Sequence, residues 1–176
     1  MSTRSHTPVI WLTGLPCSGK TTLAIELKKN LDLRNKVSLI LDGDDIRNKL
    51  TNYNFSTEGR NSHISYIGTF ASILSEQQII PIVSLVSPNS SSRDFCRSLC
   101  SNFIEIYLST SLEVCETRDV KGMYKKARSG EIQNFTGISG LYEKPLKPEL
   151  EINSGEKSLE ESLNLILFHL ENNDYI

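Results

Sequence analysis

The residues with the clearest chemistry stand near the start of the chain, Gly14-Leu15-Pro16-Cys17-Ser18-Gly19-Lys20-Thr21-Thr22. Gly14, Gly19, Lys20 and Thr21 satisfy the pattern G-x-x-x-x-G-K-[ST]. Glycines let the backbone turn so that N–H groups point inward at phosphate oxygens, and a helix starting there adds its positive end. Lys20 is placed to reach the β- and γ-phosphates of a nucleotide, and the Thr21 hydroxyl to ligate Mg²⁺. The whole stretch from Gly14 to Thr22 is therefore the expected ATP cradle.

What becomes of the phosphate depends on a second group, Leu41-Asp42-Gly43-Asp44-Asp45-Ile46-Arg47. It follows an apolar run, and carboxylates at the C-terminal end of a strand face the ligand crevice of an open α/β sheet. One carboxylate, Asp42, can orient Mg²⁺ together with Thr21. The other, Asp44, can accept a proton from an attacking hydroxyl. Arg47 can neutralise an anionic acceptor. The bland alternative is an acidic turn capping a helix at Asp44. A guanine-reading N-K-x-D is absent from the sequence, and Asp119-Val120-Lys121-Gly122 matches D-x-x-G only after a helix. The pattern thus favours phosphoryl transfer to a small acceptor over nucleotide-dependent switching.

The elements that must hold these residues are legible as an alternation. Strands are expected at 8–13, 37–41, 79–87, 103–108 and 150–152, and helices at 19–31, 60–76, 92–102, 111–118 and 158–171. The run Ile80-Pro81-Ile82-Val83-Ser84-Leu85-Val86 is nearly all apolar, as a strand buried on both faces is. Such alternation argues for a parallel sheet covered by helices. In the last helix Leu159, Leu163, Ile166, Leu167 and Leu170 recur at helical spacing, with Ser158 and Glu161 forming a capping box. The segment from about 119 to 148 breaks the pattern; it is polar, rich in Lys, Gly and Pro, with a helix candidate at 123–129, and is either a functional lid or a disordered excursion.

Length and composition set bounds. The chain has 176 residues, which suits one domain (1–176) with a real core. A net charge of −2 offers no basic footprint for a nucleic-acid polymer. No apolar stretch is long enough to span a bilayer, and the first residues lack the apolar region of a signal peptide. Cys17, Cys96, Cys100 and Cys115 include no C-x-x-C pair, so free thiols and a cytoplasmic location are expected.

Trp11-Leu12-Thr13-Gly14-Leu15, the phosphate loop, Asp42 to Arg47, Phe55-Ser56, Ile82 to Pro88, Arg93-Asp94 and Phe103-Ile104-Glu105 together resemble adenylylsulfate (APS) kinases. The most specific stretch runs from Arg118 to Ile138, R-D-V-K-G-M-Y-K-K-A-R-S-G-E-I-Q-N-F-T-G-I, followed by Tyr142-Glu143 and Pro148-Glu149-Leu150. The resemblance covers about residues 9–170. It implies a three-layer P-loop kinase fold of class α/β and a homodimer. It also implies Mg-ATP-dependent phosphorylation of the ribose 3′-hydroxyl of adenosine 5′-phosphosulfate.

On the matched positions the resemblance implies that Asp42 lies near Mg²⁺ and that Asp44 is the base. Phe55 and Phe135 would sandwich the acceptor's base, while Arg47 and Arg60 hold its phosphate. Lys121, Thr136 and Gly137 belong to the closing lid, and Arg118 and Arg128 to the ATP side. Ser87 matches a serine proposed as a phosphorylated intermediate, but direct in-line transfer needs none, so a lining role is expected.

The sequence departs from the family around the acceptor. Gly59, Ser62, His63, Ser65 and Tyr66 stand where the family carries Asp, Glu, Asn, Arg and Arg. A lost charge-assisted contact costs about 1.5–3 kcal/mol where it is made. These changes favour an altered acceptor, with cytidine diphosphoramidate as the candidate and His63 as a possible ligand for its terminal group. The alternatives are an ordinary APS kinase with compensated drift and, from another class, a non-catalytic ATP-binding regulatory domain. Pro16-Cys17 also replaces the usual Ser-Gly. A thiol among phosphates is open to a lowered pKa, with an inert cysteine as the preferred reading.

Overall fold

The computed structural model describes residues 6–49 and 57–176. Five strands, β1 (Val9–Gly14), β2 (Ser38–Asp42), β3 (Ile80–Ser84), β4 (Phe103–Leu108) and β5 (Leu150–Ile152), form one sheet in the order β2-β3-β1-β4-β5. All four pairings are parallel, with Ile10 opposite Ile82 and Ile104. The helices are α1 (Lys20–Leu33), α2 (Gly43–Lys49), α3 (Thr57–Glu76), α4 (Ser90–Ser98), α5 (Leu112–Thr117), α6 (Met123–Arg128) and α7 (Leu159–Asn172).

The alternation of side chains along β1 creates the three layers. Ile10 and Leu12 point to one face, where Leu23, Leu27 and Leu31 of α1 and Leu163, Ile166 and Leu170 of α7 cover them. Val9 and Trp11 point to the other, against Ile64, Ile67 and Ala71 of α3 and Cys96 of α4. Each such buried aliphatic side chain contributes about 1.5–3 kcal/mol, so both faces of the central strand are fixed by packing. Cys96 and Cys100 are free thiols, as expected, and burial pushes Cys96 up to about 12.

The expected elements are present with shifts at their ends. β3 stops at Ser84 rather than continuing to Ser87, because the backbone leaves the sheet and Ser87 adopts φ 37° just before Pro88. The helix expected from Ser92 begins at Ser90, behind an extended Asn89. The capping box is formed as read: Ser158 accepts from Glu161 N–H and Glu161 reaches back to Ser158 N–H. Helix α2 corresponds only to the alternative reading of a helix capped at Asp44, and its cap is Asp42 instead. It is seven residues long and is started by a side chain, since Asp42 Oδ1 accepts from the N–H groups of Asp44 (2.9 Å) and Asp45 (3.4 Å).

Candidate active site

The phosphate loop leaves the C-terminal end of β1 and enters α1 directly. Gly14 is required by space: a Cβ there would lie 2.7 Å from Leu108 O, on the neighbouring strand. Gly19 sits left-handed at φ 93° as the N-cap of α1. Cys17 also takes a positive φ, 62°, which a non-glycine residue rarely does. Its thiol is raised, first by burial and then by the charge of Asp119, so it is inert rather than activated.

Lys20 is only 8% exposed. Its ammonium curls back over the loop and donates to Gly14 O (3.0 Å), Leu15 O (2.7 Å) and Ser18 Oγ (3.2 Å). Burial lowers its pKa to about 8. A cation held over loop carbonyls in this way is poised to exchange them for phosphate oxygens. Thr21 donates to Asp42 Oδ2 at 2.8 Å, and the Ser84 hydroxyl lies 3.3 Å from it. These hard oxygen donors from α1, β2 and β3 suit Mg²⁺. Thr22 is exposed on the same first turn of α1.

The loop is braced from behind by residues that sequence reasoning missed. Ser154, just after β5, donates to Ser18 O (2.8 Å) and meets Thr110 Oγ1 (2.8 Å). Arg118 clamps Ser154 through Nη1 to Oγ (2.9 Å) and Nη2 to the carbonyl (2.6 Å), which brings it beside the loop. Arg128 does not join them. It pairs with Glu116 of α5 at 2.6 Å, on the surface. Ser154 lies outside recognisable motifs, and only the approach of distant strand ends reveals it; Ser84 falls within the Ile82 to Pro88 stretch, where no role was read for it.

On the opposite side Asp44, on the first turn of α2, is held from two directions. Arg47 Nη1 reaches Oδ1 at 3.0 Å, one helical turn on, and Lys121 Nζ reaches Oδ2 at 2.9 Å from the lid. Burial, the largest influence, pushes this carboxyl up. The Lys121 hydrogen bond and the charges of Lys121, Arg47 and Lys20 outweigh it, so the net pKa is lowered. Asp119 does not serve a switch region; its Oδ2 accepts from Lys125 N–H at 3.0 Å, at the start of α6.

The lid crosses the same space. Arg60 of α3 donates to Asn134 O at 2.9 Å, and Phe135 packs edge-on against Tyr124 of α6 with centroids 4.9 Å apart. Thr136 is buried and bridges to Gly140, and Gly137 lies against Leu15 of the phosphate loop. Phe55 falls outside the described residues. His63 is not a helix-surface residue. It is buried on α3 and hydrogen-bonds the backbone of Gly43, with a pKa lowered by burial and then by Arg47. It is therefore a neutral packing residue beneath α2 rather than a displayed ligand.

Ser87 is buried too. It accepts from Trp11 Nε1 (3.1 Å) and donates to Thr13 Oγ1 (3.0 Å), while its carbonyl accepts from Arg93 (2.7 Å). Tyr142 joins the network at Thr13 (3.0 Å), and the Arg93 guanidinium is ion-paired with Glu105 at 2.8 Å.

A parallel sheet with a glycine-framed loop at the end of its central strand, a hydroxyl–carboxylate pair beside it and a lid closing over a second carboxylate defines a P-loop phosphotransferase. The family profile described as adenylylsulphate kinase matches residues 6–153. An adenylyl-sulfate kinase from Staphylococcus haemolyticus is 46% identical over 171 residues, covering 96% of this chain and 86% of that protein. One from Rippkaea orientalis is 45% identical over 168 residues, covering 95% and 93%. The Mycobacterium tuberculosis APS kinase solved in complex with AMPPNP and APS superposes with a TM-score of 0.90 at 32% identity, covering 94% and 98%. The chain belongs to the adenylylsulphate kinase family. It is an ATP-dependent phosphotransferase with a hydroxyl acceptor on a small nucleotide, and ATP and Mg²⁺ are its cofactors.

Proposed function

We propose that this chain transfers the γ-phosphoryl group of ATP to the ribose 3′-hydroxyl of adenylyl sulfate, acting in the cytoplasm as a homodimer of single-domain subunits. The observation that carries this reading is the 46% identity to an adenylyl-sulfate kinase along nearly the whole of both chains. It supports the ordinary acceptor better than cytidine diphosphoramidate. His63, offered as a ligand for the altered acceptor's terminal group, is buried and meets the backbone of Gly43, so its position adds nothing to the case for that acceptor.

In this reading Asp44 takes the 3′-proton, and its lowered pKa keeps it ionised for that task. Lys20 and the loop amides stabilise charge on the moving phosphoryl group. Thr21 and Asp42 would hold Mg²⁺, which when bound neutralises charge on the phosphates. Arg47 and Arg60 take the acceptor's phosphate, and Phe135, with Phe55, stacks on its base. Lys121, Thr136 and Gly137 shut out water as the lid closes. Arg118 supports the ATP side through Ser154. Arg128, engaged by Glu116, is assigned no part. Ser87 lines the site without being phosphorylated.

The test is ADP release from Mg-ATP, with adenylyl sulfate and cytidine diphosphoramidate compared as acceptors. The expected result is a kcat/KM at least about ten-fold higher for adenylyl sulfate. The reverse preference overturns the acceptor assignment. Absence of ADP release with either would favour the regulatory-domain reading.

A further inference from the structure

Tyr124 stands at a junction that the proposed chemistry leaves unused. It is 2% exposed, although it belongs to the lid helix α6 rather than to the core layers. Its hydroxyl donates to Pro16 O, inside the phosphate loop, at 2.9 Å. Its ring meets Phe135 edge to face, with centroids 4.9 Å apart and planes at 79°. One side chain thus touches the donor loop with its polar end and the acceptor-stacking ring with its apolar face. Burial raises its pKa, so the hydroxyl stays a donor. The neighbouring turn repeats the link, since a Cβ on Gly137 would lie 3.0 Å from Leu15 Cδ2.

We infer that Tyr124 is a positioning residue that couples the two substrate sites, setting the phosphate loop through Pro16 and the acceptor's stacking ring through Phe135. The acceptor half of this inference rests on the stacking role proposed for Phe135; the donor half does not. The hydroxyl holds the Pro16 carbonyl in place, which fixes the peptide plane whose other side carries the Cys17 N–H of the phosphate loop. The ring fixes the rotamer of Phe135 by an edge-to-face contact of the kind aromatic pairs prefer.

Two substitutions separate the two ends. Tyr124→Phe keeps the ring contact and removes the hydrogen bond. It should weaken AMPPNP binding about five-fold, measured by calorimetry, and leave the affinity for adenylyl sulfate unchanged. Tyr124→Leu should weaken both ligands, and restoring Phe at that position should recover the acceptor's affinity but not the donor's. A purely structural residue would lower the melting temperature in both variants without this split. Equal losses for both ligands in Tyr124→Phe, or no loss for either, would overturn the inference. If the wild type binds AMPPNP but does not turn over adenylyl sulfate, the proposed function fails while the donor-side result for Tyr124→Phe still decides the loop half. A Tyr124→Leu variant that does not fold leaves that donor-side result, with unchanged acceptor affinity in Tyr124→Phe, as the deciding measurement.

Discussion

On the donor side, Lys20 is sealed against three loop oxygens, and the Ser18 carbonyl is bonded from behind by Ser154. On the acceptor side, Asp44 is held by a lysine whose side chain is 69% exposed, and the lid meets α3 through a surface bond from Arg60 to Asn134 O. Exposed ion pairs are worth about 0–1 kcal/mol. Breaking a buried polar contact costs about 1–3 kcal/mol for each group left unsatisfied. The cradle is therefore built before any ligand arrives, whereas the acceptor clamp is assembled from contacts that open at little cost. A kinase that must admit two ligands and then exclude water needs that asymmetry.

The largest expected effects test whether the chemistry divides along the same line. Asp44→Asn should reduce kcat by about 10²–10⁴-fold, the range for a lost general base, while AMPPNP affinity stays nearly unchanged. Full turnover in that variant would remove Asp44 from its role. Lys20→Met should reduce turnover by about 10²–10³-fold and weaken nucleotide binding as well, because the donor side acts through both.

Lys20 also gives the donor side its own pH signature. Its pKa in the free protein is about 8. Phosphates favour the charged lysine, so their binding raises that value. Nucleotide affinity should hold below about pH 8 and fall as pH rises through it, and Lys20→Met should lose this dependence. Calorimetric titration of AMPPNP between pH 7 and 9.5 checks it, and a flat profile in the wild type would contradict the burial of that ammonium.

How far this division was legible in the sequence follows from how each side is built. The donor cradle is local: one uninterrupted string supplies the turn, the lysine and the hydroxyl, and the apolar runs on either side declare strand and helix. Its braces, Ser154 and Thr110, were invisible because they follow the ends of β5 and β4, brought alongside only by the parallel sheet. Helix α2 was anticipated only as the alternative reading of the acidic turn, because periodicity needs more than its seven residues. Its N-cap, Asp42, had already been read as a metal ligand. The burial of His63 was not legible because the sequence does not show that the backbone of Gly43 approaches α3 at that position. Composition marked the lid segment as an excursion, but only resemblance assigned its residues roles, since its contacts with Pro16, Asp44 and Arg60 are all long-range.

A smaller effect sharpens the acceptor side. Lys121 is the leading influence holding the Asp44 carboxyl down against burial. Lys121→Ala should therefore raise that pKa. Because the base works ionised, the acid limb of the kcat/KM profile should move to higher pH, with the rate on the plateau falling less than in Asp44→Asn. An unmoved acid limb would mean that the exposed Lys121–Asp44 pair does not persist once acceptor is bound.

The smallest effect on rate is expected at Ser87, which lies at the boundary between the two sides. Its hydroxyl is inside a buried chain from Trp11 Nε1 to Thr13 Oγ1, with Val86 O and Tyr142 beyond. Ser87→Ala would strand the Trp11 N–H at a cost of about 1–3 kcal/mol. For a chain of this length each kcal/mol lowers the melting temperature by about 2–4 °C. The loss should appear in a thermal melt, while kcat for ADP release stays within about three-fold, since in-line transfer requires no acceptor on the enzyme. The opposite pattern, an intact melt with collapsed turnover, would place Ser87 in the chemistry and make the buried network the support of a nucleophile rather than a seam between the core and the lid.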